Sequence, residues 1–247
     1  MNHDFAEQYG YWEEWHWWFR ARQRIIESLL QRELIGVTSP SIVSVGCGPA
    51  EGLNWLLPLA GPNGCVVGLD ADPLHAPTSN ESINYVVGKI EAAPFAAGSF
   101  DLVLALDVLE HLDDDVTGLS ELARILKPGG LLLITVPAFP SLWGTQDIVS
   151  QHRRRYTKQS LQTIFDYAHL SPSRISYFNT LLFPPIAAVR WGRQVLGLAS
   201  KEQGDFEGSH PGLLNNILEG VFALERHLVW RTSMPFGVSL LATLRQI

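Results

Sequence analysis

The chain has 247 residues, 46% of them apolar and 17% charged, with a net charge of −7 and two cysteines. That length suits one elaborated α/β domain with a substantial core, and the composition is that of an ordinary globular protein. A dispersed acidic balance argues against general nucleic-acid binding, no apolar run is long enough to span a bilayer, and the aromatic, acidic N-terminus lacks the pattern of a secretory signal. The expected compartment is the cytoplasm. Cys47 and Cys65 have neither metal-ligand nor redox spacing and read as small buried hydrophobes in a reducing environment.

In chain order, Tyr9, Tyr11, Trp12, Trp15, His16, Trp17, Trp18 and Phe19 crowd together ahead of Arg20, Arg22 and Arg24, which open a helical period over residues 20–34. A short helix cannot bury so many rings alone. They predict an aromatic cover, packed on the domain or roofing a ligand pocket. Residues 42–45 then form an apolar β-branched run that enters Gly46-Cys47-Gly48, and an amphipathic segment carrying Gly52 in its first turn follows. A second apolar run, 65–69, ends in Asp70. This is strand, tight turn, helix, strand, with a carboxylate about 20 residues after the turn, where it meets ribose hydroxyls. No lysine or arginine lies between Ser41 and Lys89, so a ligand here lacks the cationic help a pyrophosphate expects and reads as a nucleoside without phosphates.

Residues 73–82 are polar and turn-rich, 84–87 read as a third strand, and 100–107 as a fourth, continuously apolar as in a sheet covered on both faces. Leu106 and Asp107 close that strand at the end where open α/β sheets bind ligands. The neighbouring Glu110 and His111 read either as braces at the start of a helix or, with Asp107, as donors to a divalent metal. A helix is expected over 119–126, stopped by Lys127-Pro128-Gly129-Gly130, and a fifth strand over 131–136.

Residues 138–157 are neither periodic nor of low complexity and leave the carboxyl end of a central strand, which makes them the expected substrate loop. Asp147, His152, Arg155 and Tyr156 carry its chemistry. A histidine near neutral pKa can take a proton from a hydroxyl, and arginines can hold an anionic group or anchor the loop by ion pairs. Three consecutive arginines in an acidic chain do not make a surface that tracks a nucleic-acid backbone. A helix over 158–167, a sixth strand over 173–178, helices over 181–198 and 213–230 joined by a polar linker at 199–211, and a last strand over 237–244 complete the reading. The first of those two late helices mixes leucine, phenylalanine, tryptophan and arginine as interfacial helices do.

The ordered series VSVGCGPAEG, VVGLDADP, VVGKIEAAPFAAGSFDLVLALDVLEHL and LARILKPGGLLLITVP resembles the motifs of class I S-adenosylmethionine-dependent methyltransferases, over about residues 41–137. HWWFRARQRII resembles the N-terminal segment of a bacterial subgroup, and the aspartate followed by HRRRYT resembles the post-strand loop of methyltransferases encoded with surface-polysaccharide and glycolipid enzymes. The resemblance implies a Rossmann-like α/β fold with a seven-stranded, mostly parallel sheet whose last strand is antiparallel. It also implies a helical N-terminal lid and a C-terminal helical insertion. The expected domains are a lid at 1–40, a core at 41–178 that includes the substrate loop, a helical cap at 179–236 and the final core strand at 237–247.

The implied cofactor is S-adenosyl-L-methionine, bound by Gly46, Cys47, Gly48, Gly52, Asp70, Ala71, Ile90, Glu91, Leu106 and Asp107, with Trp18 and Arg22 from the lid. Lys89 and Ser44 stand where relatives often carry acids, so adenine recognition shifts to backbone near Ile90, to Glu91 or to apolar walls. His152 and Asp147 are the catalytic candidates; Trp17, Arg155 and Tyr156 are the substrate-binding ones. The expected activity is O-methylation of a small-molecule, glycan or lipid-linked acceptor, without nucleic acid as partner and without a resident metal. The alternatives are a metal-assisted polyprenyl-quinone or aromatic O-methyltransferase, a silent cofactor-binding scaffold, and an NAD-dependent oxidoreductase. A peripheral contact at the inner membrane face and a homodimer are open partners.

Overall fold

The computed structural model describes residues 10–76, 82–196 and 209–246. Tyr9, part of the turn-rich 73–82 segment, most of the 199–211 linker and Ile247 lie outside the described residues. In chain order the elements are α1 (Trp17–Glu33), β1 (Ser41–Val45), α2 (Leu57–Ala60), β2 (Cys65–Asp70), β3 (Asn84–Val87), β4 (Phe100–Leu106), α3 (Asp115–Arg124) and β5 (Leu126–Pro137). They continue with α4 (Thr145–Val149), α5 (Lys158–Tyr167), β6 (Arg174–Phe178), α6 (Phe183–Val195), α7 (Leu213–Ala223) and β7 (Ser239–Arg245). No helix among the described residues is long and apolar enough to cross a membrane.

The strands form one seven-stranded sheet in the order β3-β2-β1-β4-β5-β7-β6, and β1–β2, β1–β4, β2–β3 and β4–β5 are parallel pairs. This is the Rossmann-like class I methyltransferase fold. Central strands read as unbroken apolar runs because both faces are covered: Leu102 to Ala105 and Leu131 to Ile134 are almost wholly out of water. The register aligns Val45 with Leu69 and with Ala105, and Asp70 with Val87. The turns after β1, β2, β3 and β4 therefore share one edge, and the strand order reverses between β1 and β4, where such sheets bind ligands.

The chain packs as two compact units. One, the sheet unit, comprises Glu33–Val136, Gln159–Ile175 and Leu241–Ile247; the other, the helical unit, comprises Met1–Arg32, Pro137–Lys158 and Ser176–Leu240. The loop after β5 clusters with the N-terminal helix and the late helices. In the helical unit Trp12 and Phe19 form a buried cluster with Trp15, Trp18 and Val149 of α4, so the aromatic crowd is covered largely by its own members and by that loop. Helix α7 lies against α1: the Asn215 side chain accepts from the Trp17 amide and donates to the Trp15 carbonyl, both at 2.9 Å, and Glu219 pairs with Arg20 and Arg24.

Several boundaries differ from the pattern-based expectation, each for a local reason. The segment after the glycine turn is a 3-10 helix, Ala50–Leu56, running into the four-residue α2, because Pro58 has no amide to donate and its ring opposes a continuous α-helix. Helix α3 begins earlier than expected, where Asp114 caps it by accepting from the Thr117 amide at 2.9 Å. Lys127 to Gly130 do not join helix to strand. They bulge out of β5, where the five steps from Leu126 to Leu131 span what two steps cover on β4. The last long helix ends at Ala223 and continues as a 3-10 turn, Leu224–His227. Cys47 and Cys65 are half-buried rather than buried.

Gly237 packs directly on the backbone of Phe178: a Cβ there would overlap its carbonyl and lie 3.0 Å from its nitrogen. Gly237→Ala is expected to lower stability by about 1–3 kcal/mol, read as a lower denaturant midpoint at unchanged slope.

Candidate active site

In the sheet unit, Gly46 follows β1 with φ +57° and Gly48 with φ +63°, left-handed conformations that a side chain resists. A Cβ on Gly46 would press into Val108 at 2.8 Å, whereas nothing lies within 4 Å of one on Gly48, so main chain there borders open space. The Gly48 amide donates to Asp70 Oδ2 at 2.8 Å and the Asp72 amide to Oδ1 at 2.9 Å. Asp70 is thereby aimed by two backbone donors, and its 14% exposed carboxylate keeps acceptor sites for a diol. Gly52 sits in the 3-10 turn, closing it onto the Pro49 carbonyl at 3.1 Å. Ala71 is exposed beyond β2, Ile90 is buried at the start of a 3-10 turn, and Glu91 beside it is half-buried.

Leu106 ends β4, one residue earlier than expected, and Asp107 follows it; both are half-buried. Asp107 has φ +57°, held by its amide donating to the Thr135 carbonyl at 2.9 Å and hydroxyl at 3.1 Å. Glu110 and His111 fall in a 3-10 turn, Leu109–His111, rather than at the start of a helix, and Glu110 is fully buried. Two neighbours of Asp70 carry no motif signal. Tyr85 on β3 donates toward the Gly48 and Asp72 carbonyls at 3.5 and 3.4 Å, and burial, then the Asp70 charge, pushes its phenol up. His75 Nδ1 lies 3.4 Å from Asp70 Oδ1. Only the strand pairing that places β3 beside β2 shows that Tyr85 belongs to this edge.

In the helical unit one carboxylate gathers the loop. Asp147 is fully buried; it accepts from His152 Nδ1 at 2.8 Å, Arg155 Nε at 2.7 Å and the Gly144 amide at 2.7 Å, with Arg190 at 3.9 Å. Burial alone would raise its pKa, but the His152 hydrogen bond and the Arg155 charge outweigh it and leave the group at about 2. An ionised Asp147 requires the hydrogen on His152 Nδ1, which makes Nε2 the basic nitrogen of the neutral ring. Asp147 is sealed from solvent, with His152 held on its carboxylate.

The Arg155 side chain is 3% exposed and donates to Asp147 and to the Ala138 carbonyl, tying the loop together as one of its two expected parts requires. Tyr156 is buried, and its backbone closes the loop through bonds with Pro137 and Phe139. Trp17 meets Phe222 edge-on at 6.0 Å, and the Arg22 guanidinium lies over the Trp18 ring at 4.4 Å while itself buried. Arg190, unsuspected from sequence, donates to the Leu142 carbonyl at 2.8 Å.

Residues 43–134 match a family model described as Methyltransferase domain. The ubiquinone biosynthesis O-methyltransferase of Cereibacter sphaeroides is 37% identical over 101 residues, 37% of this chain and 39% of that protein. A chain of the complex containing the Haloferax volcanii Trm112 methyltransferase activator superposes with a TM-score of 0.60 at 20% identity, over 98% of this chain and 94% of that one. Geranyl diphosphate C-methyltransferase from Streptomyces coelicolor A3(2), solved with Mg2+, geranyl diphosphate and S-adenosyl-L-homocysteine, gives 0.54 at 15% identity, over 90% and 80%. The chain spans under half the length of the curated relatives it matches.

The matched segment, residues 43–134, carries the pattern of a methyltransferase domain on a Rossmann-like sheet, and the cofactor that goes with it is S-adenosylmethionine. The residues present fit that group: a glycine turn with open space beside Gly48, an acid aimed by two amides, and no lysine or arginine in the stretch from Ser41 up to Lys89.

Asp70→Ala should weaken S-adenosylhomocysteine binding by about 1–3 kcal/mol in calorimetry, by removing both ribose hydrogen bonds. Asp147 gives a second expectation. Its pKa is depressed in the folded state, so its stabilisation is full above the unfolded value and is lost as pH falls from about 4 to about 2. The loss is on the order of 2 kcal/mol. Wild type should therefore lose stability through that window in acid titrations of unfolding, and Asp147→Asn should lose correspondingly less.

Proposed function

We propose that the protein transfers a methyl group from S-adenosylmethionine to an oxygen of a small-molecule, glycan or lipid-linked acceptor. The observation that carries this reading is the dyad of His152 Nδ1 on buried Asp147 at 2.8 Å. When bound, the cofactor supplies a methyl already activated by its sulfonium charge. What remains for the chain is to align an acceptor and remove a proton. Gly46, Cys47 and Gly48 seat the nucleoside with bare main chain, Asp70 takes the ribose diol, Ile90 and Glu91 flank the adenine, and Ala71, Leu106 and Asp107 line the mouth. Arg22 with Trp18 takes the methionyl carboxylate, and Trp17 contributes to the acceptor site. His152 accepts the acceptor's hydroxyl proton on Nε2, and Asp147 stabilises the resulting imidazolium. The bacterial subgroup with surface-polysaccharide and glycolipid acceptors remains the preferred one, on the loop that runs from Asp147 to Thr157.

A quinone-type aromatic acceptor is the second reading, supported by the ubiquinone biosynthesis O-methyltransferase relative. Transfer of a labelled methyl into cell-extract fractions separates the two from each other and from other acceptors. Label in glycan or polar lipid fractions is expected, label in the quinone fraction selects the second reading, and label confined to protein or nucleic acid overturns both. His152→Ala should lower turnover about 10²- to 10⁴-fold while leaving S-adenosylhomocysteine affinity unchanged. Unchanged turnover would remove His152 as the base.

A further inference from the structure

Helix α7 has its chemistry turned inside out. The face packed on α1 carries an amide and a carboxylate, Asn215 and Glu219, with Phe222 and Ala223 beside them, while Glu225 is buried in the following turn. The opposite face carries Leu213, Leu214, Ile217 and Leu224, each between 51% and 77% exposed, and Leu228 continues the row at 37%. At 100° per residue Leu213, Leu214 and Ile217 fall within a single arc of about 100°, and Val221 joins them. A surface helix ordinarily does the reverse, hiding its leucines and showing its charges. Here burial of the polar side is explained by named partners, and the apolar side has none among the described contacts.

The charge around this row selects what covers it. Between residues 209 and 234 the two acids, Glu219 and Glu225, both point inward, and the exposed charged side chains are Arg226 and Arg231, with His210 and His227 also exposed. Arg32 and Arg231 flank half-buried Trp230, at 3.6 and 4.5 Å from its ring. The helical unit as a whole holds 13 lysines and arginines against 11 acids, whereas the sheet unit holds 5 against 14. A row of exposed leucines on a helix whose following turn exposes Arg226 and Arg231, with no exposed carboxylate between residues 209 and 234, matches an anionic lipid surface, where apolar burial and attraction to headgroups add. A two-fold contact between copies would instead set two such arginine pairs against each other.

We propose that the outward face of α7 is a membrane-docking surface that seats the protein on anionic phospholipid. Leu213, Leu214, Ile217, Leu224 and Leu228 enter the headgroup boundary, and Arg32, Arg226 and Arg231 meet phosphates. The inference does not depend on methyl transfer, and its readout is binding alone.

The test is co-sedimentation of the full chain with vesicles of phosphatidylglycerol mixed with phosphatidylcholine, against vesicles of phosphatidylcholine only. Wild type should sediment with the anionic vesicles and release with added salt. The exposed double variant Leu214→Glu/Ile217→Glu should bind at least about tenfold less, with unchanged circular dichroism and S-adenosylhomocysteine affinity. Absence of wild-type binding, equal binding by the variant, or equal binding to uncharged vesicles would overturn the proposal. So would a wild-type dimer that the variant breaks while vesicle binding stays the same, which would assign the face to a second copy.

Discussion

The hydrogen bond from the Gly48 amide to Asp70 Oδ2 is the constraint on which the sheet unit's function depends. It ties the turn after β1 to the tip of β2, and it does so through two groups that a nucleoside also needs: bare main chain and an acid. The bond works because the two strands are parallel and in register up to Val45 and Leu69, so that both turns emerge at one level. Left-handed backbone at Gly46 and Gly48 accompanies this turn, in which the Gly48 amide meets the acid while the Cys47 amide bonds the Leu69 carbonyl. Tyr85 and the Asp72 amide hold the same small region from the other side. A binding edge assembled this way is set before any ligand arrives, which limits the ordering that binding must impose.

The helical unit is organised by buried carboxylates of a different kind. Asp147 draws one histidine, one arginine and an amide to itself and so shapes a loop that has almost no regular structure. Glu225 does the same for the start of the chain beyond β6, accepting from the amides of Thr180 at 2.6 Å and Leu181 at 2.8 Å, while burial raises its pKa. Glu219 joins α7 to α1 through two arginines. An unpaired buried charge is costly, so each of these acids obliges particular cations or amides to come to it. That is a different logic from the sheet, where apolar burial does most of the work. The charge of the molecule is uneven as well: the sheet unit carries the acidic excess, and the helical unit is slightly basic.

The strands and the glycine turn were legible from residues alone because their signals are local. An apolar run of five or six residues, a glycine pair and an acid at the next strand's tip need no knowledge of distant chain. The observed β1, β2, β3 and β4 match those runs closely. Helix limits were less legible where a proline or a cap intervened: Pro58 shortened one helix and Asp114 lengthened another. Arg155 could not be assigned from its place in HRRRYT. An arginine that holds a ligand and one that holds a loop carry the same letter, and only burial with a paired carboxylate distinguishes them. The same holds for α7, where only the contacts of Asn215 and Glu219 with α1 show which face is buried.

The sequence by itself determined the parallel strand plan and the nucleoside-type turn, with Asp70 at its edge, because these arise from short-range sterics, alternation of apolar and polar residues and glycine backbone freedom. Tertiary structure alone decided which side of each helix is buried, which acid each arginine serves, and that the loop after β5 packs with the N-terminal aromatics. Those outcomes rest on the desolvation cost of charges and on packing between segments far apart in the chain, neither of which has a period or a spacing that can be read along it.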